Sequence, residues 1–546
     1  MNPSWASALA PALAAGSGLA ALAAHPPVGW WATTFLAPAL LVAALWVDAE
    51  AARAQDRRSR AGRLGALSGL VAFGPMLIWL VLPAGIVGWA LLVLVQAAWM
   101  GLLALLVRPA LDHWALPLVV AVAWTGVDAW RALVPLNGFE WGAIAYAHVD
   151  GSWLLPVARI VGGRGITFLV VLIGAAAAVV VRQTWVSVRE RGDTPVEVAL
   201  GGTKVSVGFL VGGLLVSVLA TIEPPEEVGD LDVLVVQGND VRHWEQDGGP
   251  DSPLRITTAL RDLTIEEIER DGAPDLTVWP ESSIDRDPFS ERGASLGALA
   301  DETARAAGTL LAGTVFDGPD PTAERYVAAV LLEDGLDETD RYIKRRLVPF
   351  GEFIPMRPWL DWFPPLEQIP RDALPGPGPQ ASEVADGVRA AIIICFETMF
   401  SDVVRTNVLA DDDPAQVIIT MTNDASFGDS AEPAQHLAQS QLRAVETGRW
   451  VVHGALSGSS AFVDPSGGIS QATPVFELAT IRAEVPLVQG LTPYLVIGDV
   501  LGWLTRAASL LLGVAIVLRV VRDRRRDRAV SPDEHHAGSS PVVPAR

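Results

Sequence analysis

The strongest constraint on this chain is how its apolar residues are segregated. Eight stretches, roughly 7–24, 29–47, 65–83, 86–107, 115–134, 165–181, 205–221 and 494–518, approach the ~20 mostly apolar residues that a bilayer-crossing helix needs. Between the last two lies a block of opposite character. Residues 222–490 hold 47 of the 62 acidic residues and only 19 of the 40 basic ones. With 50% hydrophobic and 19% charged residues, the chain is too apolar to be disordered or wholly soluble. The acidic block argues against nucleic acid as a partner, because phosphates need a cationic surface.

Charge in the loops orients the spans. Arg53, Arg57, Arg58, Arg60 and Arg63 follow the second stretch, and Arg108 follows the fourth. Arg182, Arg189, Arg191 and Lys204 follow the sixth, and Arg519, Arg522, Arg524, Arg525, Arg526 and Arg528 follow the eighth. The alternate loops, near 25–28 and 84–85, carry none, and 135–164 carries only Arg159 and Arg164. Eight spans with both termini in the cytoplasm put every basic loop on one side and the acidic block outside. The first stretch has no Lys or Arg before it, so it reads as a span rather than a signal peptide. The expected domains are 1–222 (seven spans with an outer segment 135–164), 223–490 (the acidic block), 491–520 (the eighth span) and 521–546, a basic disordered tail. Trp141, Tyr146 and Trp153 in the outer segment read as interfacial aromatics, and His535 and His536 in the tail as solvated.

Within the acidic block, Val/Ile-rich strand candidates at 231–237, 275–279, 309–315, 326–332, 391–396, 416–421, 450–456 and 460–463 alternate with helical stretches at 252–270, 295–307 and 432–449. Near-continuous apolar strands between helices indicate a layered α/β domain. Phosphate-binding and nucleophile-elbow motifs are missing. Val161–Gly165, glycine-rich, reads as a loop entering a span, and Ser457–Ser460 as a turn between strands.

Three residues carry chemistry. Cys395, the sole cysteine, ends an apolar strand and is followed by Glu397. One thiol makes neither an internal disulfide nor a cysteine-based zinc site, and a lone buried Cys is often only a small hydrophobe. A strand end in an α/β fold, however, is where sites are built. Only two lysines stand among 40 basic residues, and of these Lys344 lies in the acidic block. A compact ammonium approaches a reacting oxygen in a way Arg does not. Glu281 follows the strand candidate 275–279, where it could instead cap a helix. A thiol, a carboxylate and an ammonium are the set that covalent acyl transfer requires.

The order Trp279-Pro280-Glu281, then Lys344 with Leu347–Glu352, then Cys395-Phe396-Glu397 resembles the nitrilase superfamily. Thr422–Gly428 and Gln435–Arg449 fit the same pattern. With seven spans before the block and one after, and with Asn137–Gly142 resembling the segment between spans five and six, the chain resembles the apolipoprotein N-acyltransferase family over nearly its whole length. The resemblance implies an α/β nitrilase-like αββα sandwich inserted between transmembrane helices 7 and 8 of an eight-helix membrane domain. It implies that Cys395 takes an acyl group from a phospholipid donor, with Glu281 as base and Lys344 at the oxyanion. The thioester then passes its acyl group to the α-amine of a diacylglyceryl apolipoprotein. Glu352, Glu397, Trp244, Phe396 and Asn423 match family positions around that site. No cofactor or metal is implied, and a monomer in the inner membrane is expected. Phe396 replaces the Tyr often found after the nucleophile, and Ser426 replaces an aromatic; these changes should alter lipid packing or rate rather than reaction class.

Two rivals are a membrane-anchored amidase acting on small amides and a transporter. The transporter reading conflicts with spans almost bare of charge, Asp128 and Arg131 lying near an outer end from which they can snorkel. Trp359, Trp362 and Phe363, set among prolines at 355–365, form a candidate lipid-touching lid. Replacing Trp359 and Trp362 with Ser should slow acylation of Cys395; unchanged acylation kinetics would remove the lid.

Overall fold

The computed structural model describes residues 3–191, 225–238, 252–360 and 369–530. The seventh stretch at 205–221, Lys204, Trp244, Trp362, Phe363 and the tail with His535 and His536 lie outside the described residues.

The apolar stretches form helices α1 (Pro3–Ala24), α2 (Leu36–Ala54), α3 (Ala61–Met76), α4 (Val81–Val107), α5 (Leu116–Arg131) and α6 (Ala158–Arg191). Among the described residues, four helical segments are long and apolar enough to cross a membrane: Trp31–Ala54, Ile78–Ala110, Leu155–Val188 and Val500–Arg525. Small residues let neighbours approach closely. A Cβ on Gly65 would lie 2.2 Å from the carbonyl oxygen of Met100, so α3 meets α4 backbone to backbone. The Val161–Gly165 stretch is not a loop. It is the broken start of α6, with Gly162 at φ +70°.

Asp128 and Arg131 do not snorkel. They are buried and paired at 2.8 Å, and Arg131 also donates to Gln96 and to the carbonyl of Trp141. Trp141 and Tyr146 are buried too, hydrogen-bonded to Gln435 and Met399 of the acidic block rather than at an interface; Trp153 is exposed. The sequence signal was ambiguous because an aromatic with one polar atom suits either a headgroup layer or a buried hydrogen bond.

The acidic block folds into two face-to-face sheets. One is seven-stranded, in the order β13-β1-β2-β3-β4-β5 with β6 beside β4. It comprises β1 (Glu226–Gln237), β2 (Leu276–Ile284), β3 (Thr309–Asp317), β4 (Glu324–Glu333), β5 (Asp337–Ile343), β6 (Asp372–Ala373) and β13 (Ala479–Gln489). The other is six-stranded, β12-β11-β10-β9-β8-β7. Its strands are β7 (Ser382–Ala385), β8 (Val388–Ile394), β9 (Val417–Thr422), β10 (Val451–Ala455), β11 (Ala461–Val463) and β12 (Ile469–Ala472). Parallel strands form both centres: β1, β2 and β3 in one, β8, β9 and β10 in the other. Val233, Val278, Ile392, Ile419 and Val452 fill the space between the sheets. Helices α7 (Ser252–Asp271) and α8 (Ala294–Ala307) cover the outer face of the first sheet through Leu260, Ala300 and Trp279. Helices α9 (Ser401–Val408) and α10 (Glu432–Thr447) cover the second, and their apolar side chains share one core with the membrane helices. The result is a nitrilase-like αββα sandwich. Helix α11 (Val500–Val530) follows.

The predicted strands and helices recur within a few residues, but β5, β6, β7, β12, β13 and α9 have no counterpart in the sequence reading. Strands β5 (Asp337-Glu338-Thr339-Asp340-Arg341-Tyr342-Ile343) and β12 lie at sheet edges with largely unburied side chains, so they lack an apolar pattern. Pro486 and two charges blur β13.

Gly65→Val should force α3 from α4 and cost roughly 2 kcal/mol, seen as a lower thermal midpoint of the detergent-solubilised protein; an unchanged midpoint would show that the close contact is dispensable.

Candidate active site

Cys395 stands one residue beyond β8 and opens a single 3-10 turn, Cys395–Met399. Its φ is +48°, a region that side-chain-bearing residues seldom occupy. Glu281 is not at a helix start. It lies inside β2, where the pairing with β3 shifts register between Trp279 and Ile284 and Ser282 takes φ +61°. The irregularity takes Glu281 out of the regular ladder. Lys344 follows β5 directly, and its backbone is pinned on both sides: its N–H donates to Val327 and its carbonyl accepts from Gly376.

The side chains meet where the sequence reading brought them together. Lys344 Nζ donates to Glu281 Oε1 at 3.1 Å and to Glu352 Oε1 at 2.6 Å. Glu281 also lies near enough to Cys395 for the two to influence each other's charge, and its Oε2 accepts the backbone N–H of Asn423 at 3.1 Å. Asn423 thus acts through its main chain. Glu352 Oε2 accepts from Val348 N, which closes the loop that carries it. Lys344 is 0% and Glu281 8% exposed, whereas Cys395 retains accessible surface.

Burial opposes charge at all three groups, and their neighbours decide the outcome. Burial raises the Glu281 carboxyl above its ordinary value, against the pull of Lys344. Burial also works against the Lys344 ammonium, but Glu281 and Glu352 outweigh it and hold its pKa well above the usual lysine range. Dense surroundings, then the Glu281 carboxylate, push the Cys395 thiol well up even though part of the residue reaches solvent. The resting arrangement is therefore a neutral thiol beside a carboxylate held by an ammonium.

Glu397 is buried and organises the turn. It accepts both oxygens' worth of bonding from Tyr342 Oη, 3.0 and 2.9 Å away, and takes the N–H groups of Arg345, Arg346 and Ile394. It ties the Lys344 loop to the Cys395 turn. Phe396 is buried between Phe400 and Phe139 of the 137–142 segment. Trp359 is 79% exposed on a stretch that also exposes Phe350 and Met356.

Sequence reasoning missed His436 and Asp424 as individuals, although both lie in quoted motifs. His436 Nε2 sits 3.2 Å from the carbonyl oxygen of Cys395, and Nδ1 faces Asp424 Oδ1 at 3.3 Å. Asp424, Glu432 and His436 also have ion-binding spacing, with ligand atoms within 4.8 Å. Both imidazole nitrogens already face oxygen atoms, whereas Glu432 Oε2 and Asp424 Oδ2 are buried without a hydrogen-bond partner among the described residues. Polar residues on a helix that must be buried were the available signal.

The sequence model described as apolipoprotein N-acyltransferase N-terminal domain matches residues 17–176, and that described as carbon-nitrogen hydrolase matches 260–490. A protein of Mycolicibacterium smegmatis named apolipoprotein N-acyltransferase is 32% identical over 523 residues, spanning 92% of this chain and 84% of that protein. The chain belongs to the apolipoprotein N-acyltransferase family. A Photobacterium profundum protein of the same name is 32% identical over 378 residues, and the match spans 66% of its length. An amidase from Nesterenkonia sp. overlays with a TM-score of 0.35 at 17% identity, covering 50% of this chain and 95% of the amidase; that overlay carries no argument. The nitrilase-like reading rests on the strand order and the carbon-nitrogen hydrolase match. Apolipoprotein N-acyltransferases are acyltransferases, and in this member the carbon-nitrogen hydrolase match contains Glu281, Lys344 and Cys395.

Glu397→Gln would turn a donor toward N–H groups that need an acceptor. It should cost roughly 2–3 kcal/mol, measured as a fall in thermal midpoint; an unaltered midpoint would mean that the turn is held elsewhere.

Proposed function

We propose that this chain N-acylates the α-amine of the S-diacylglyceryl cysteine of apolipoproteins with a phospholipid acyl group, by a ping-pong reaction through a thioester on Cys395. The observation that carries the reading is the Glu281–Lys344–Glu352 network beside Cys395, in a family member whose helices are long enough to cross a bilayer. The loop charges favour eight spans with both termini in the cytoplasm and the catalytic domain outside. That placement puts the thiol on the leaflet where a lipid ester and a lipoprotein amine are both reachable.

Each step uses groups already in contact. Glu281 takes the Cys395 proton as sulfur attacks the ester carbonyl carbon. Lys344 faces the oxyanion, an interaction strengthened in a site from which water is excluded. The tetrahedral intermediate collapses, the lysophospholipid oxygen leaves, and Glu281 returns the proton to it. The amine then attacks the thioester, Glu281 takes the amine proton, and the thiol is restored with the amide product released. Glu352 holds Lys344 in place while Glu281 changes charge. Trp359, Trp362 and Phe363 are the lid candidates of the sequence, and Trp244 belongs to the supporting set that the resemblance implies. A monomer suffices, since all these groups come from one chain.

The membrane-anchored amidase would use the same triad with water as second nucleophile. Intact mass spectrometry after incubation with phospholipid separates the two. An acyl mass on the wild type, released by hydroxylamine, absent from Cys395→Ala and discharged by a diacylglyceryl peptide, is the expected result. An adduct that water clears but the lipopeptide does not would make the protein a hydrolase. No adduct would remove the acyltransferase reading.

Glu281 must be ionised to accept the proton, and its carboxyl is held above the ordinary 4.5. Acylation should therefore be lost on acidification at a pH above that of an unperturbed glutamate, as Glu281 protonates. The pH–rate profile of adduct formation checks this, and a limb at 4.5 would exclude Glu281 as the base.

A further inference from the structure

Two adjacent residues of α10 face opposite partners. Gln435 turns its side-chain hydrogen bonds to the membrane part. Its Oε1 accepts from Trp79 Nε1 at 3.3 Å and Trp141 Nε1 at 2.6 Å, and its Nε2 donates to the carbonyls of Pro26 and Met76. His436 turns the other way. A carbonyl oxygen only accepts, so the Nε2 that lies 3.2 Å from the oxygen of Cys395 carries a hydrogen. Nδ1 lies against Asp424 Oδ1 and Thr422 Oγ1, and Thr422 donates in turn to Asp424.

That carbonyl belongs to a residue at φ +48°. A side-chain-bearing residue stays in this region only when its surroundings hold it there. A peptide is planar, so anchoring the Cys395 oxygen also fixes the N–H of Phe396, next to the thiol. The same membrane segment touches both sides of this arrangement. The Trp141 ring lies 5.9 Å from the His436 ring, and Phe139 stacks on Phe396.

We propose that the Gln435–His436 pair is the link through which the membrane part sets the nucleophile. His436 is a positioning residue that holds the left-handed turn at Cys395, and Gln435, gripped by Trp79 and Trp141, holds the helix turn from which His436 reaches. This rests on Cys395 being the nucleophile of the proposed reaction.

Cys395 is the sole cysteine, so alkylation by iodoacetamide reports it alone. The test uses the full chain in detergent micelles, with two rates read by intact mass: alkylation, and acyl-adduct formation at several phospholipid concentrations. His436→Ala should slow both rates about tenfold, with the phospholipid concentration for half-maximal rate unchanged. His436→Gln, whose amide can donate to the same carbonyl, should recover part of the loss, a rescue that mere packing would not give. Trp141→Phe keeps an aromatic ring, smaller than indole, and removes the N–H to Gln435, and should slow both rates about threefold at a temperature where the variant is fully folded. Wild-type rates in His436→Ala, or His436→Gln as slow as His436→Ala, would overturn the role of His436. Wild-type rates in Trp141→Phe would overturn the membrane link. Should His436→Ala fail to fold, the His436→Gln and Trp141→Phe rates still decide. A wild type that alkylates but gains no acyl group would sink the proposed function, while the alkylation series would still judge this link.

Discussion

A polar helix buried almost on every side is the constraint around which this molecule is arranged. Of the residues Glu432–Thr447, all but Ala434 are buried, yet Gln435, His436, Gln439, Ser440, Gln441, Arg443, Glu446 and Thr447 are polar. Such a helix persists only between two partners that answer its hydrogen bonds. On one side Ser440 meets His453, and His436 meets the Cys395 turn. On the other, Gln441 donates to Asp150, Glu446 accepts from Gly163 N, and Arg443 pairs with Glu446 beside Tyr146. The break at Gly162 is part of this fit, since a Cβ there would strike the Tyr494 ring at 2.6 Å. The helix end is locked as well. Arg449, fully buried, has no carboxylate and instead donates to the carbonyls of Ala415, Thr447 and Gly490, joining the helix to β9 and to the chain leaving β13.

Around the thiol the same economy of partners applies to charge. Two carboxylates and one ammonium are withdrawn from water together. A buried ammonium is tolerable only when paired, and removing Lys344 would leave two buried carboxylates with no cation between them, an arrangement that the interior penalises. The geometry follows from backbone features rather than flexible side-chain reach. A register break presents Glu281, a sheet edge delivers Lys344, and a left-handed turn raises Cys395. Lys344 is pinned at both its N–H and its carbonyl, so little reorganisation is left for the reaction itself.

The Glu281–Lys344–Cys395 cluster was legible in the sequence because each member stands out chemically: a sole cysteine, one of two lysines, and a glutamate after a Trp-Pro step. The central strands were legible because Ile392-Ile393-Ile394 and Val417-Ile418-Ile419 are buried on both faces and read as continuous apolar runs. What was not legible depended on partners distant in sequence. Glu281 read as a strand end because nothing local announces a register break. Trp141 and Tyr146 read as headgroup-layer aromatics because their partners, Gln435 and Met399, lie more than 250 residues away. Arg131 read as a snorkelling charge although Asp128, Trp141 and Gln96 lie within 35 residues of it, because proximity in sequence does not show which way a side chain near a helix end turns. Lys344 was found by composition, although the strand that delivers it has no apolar pattern at all.

The chemistry of the helix face that meets the membrane part bears on how such a molecule is put together. A domain that docks through leucines must hide them until its partner arrives. This one docks through a mixed face, with Gln435, Gln441, Arg443 and Glu446 set among Leu437, Ala438, Leu442 and Val445, which share a core with the membrane helices. The polar groups are ones that water satisfies well, and on assembly they exchange solvent hydrogen bonds for protein ones while the apolar groups between them leave water. Fewer apolar groups therefore wait uncovered than on an all-leucine face of the same size.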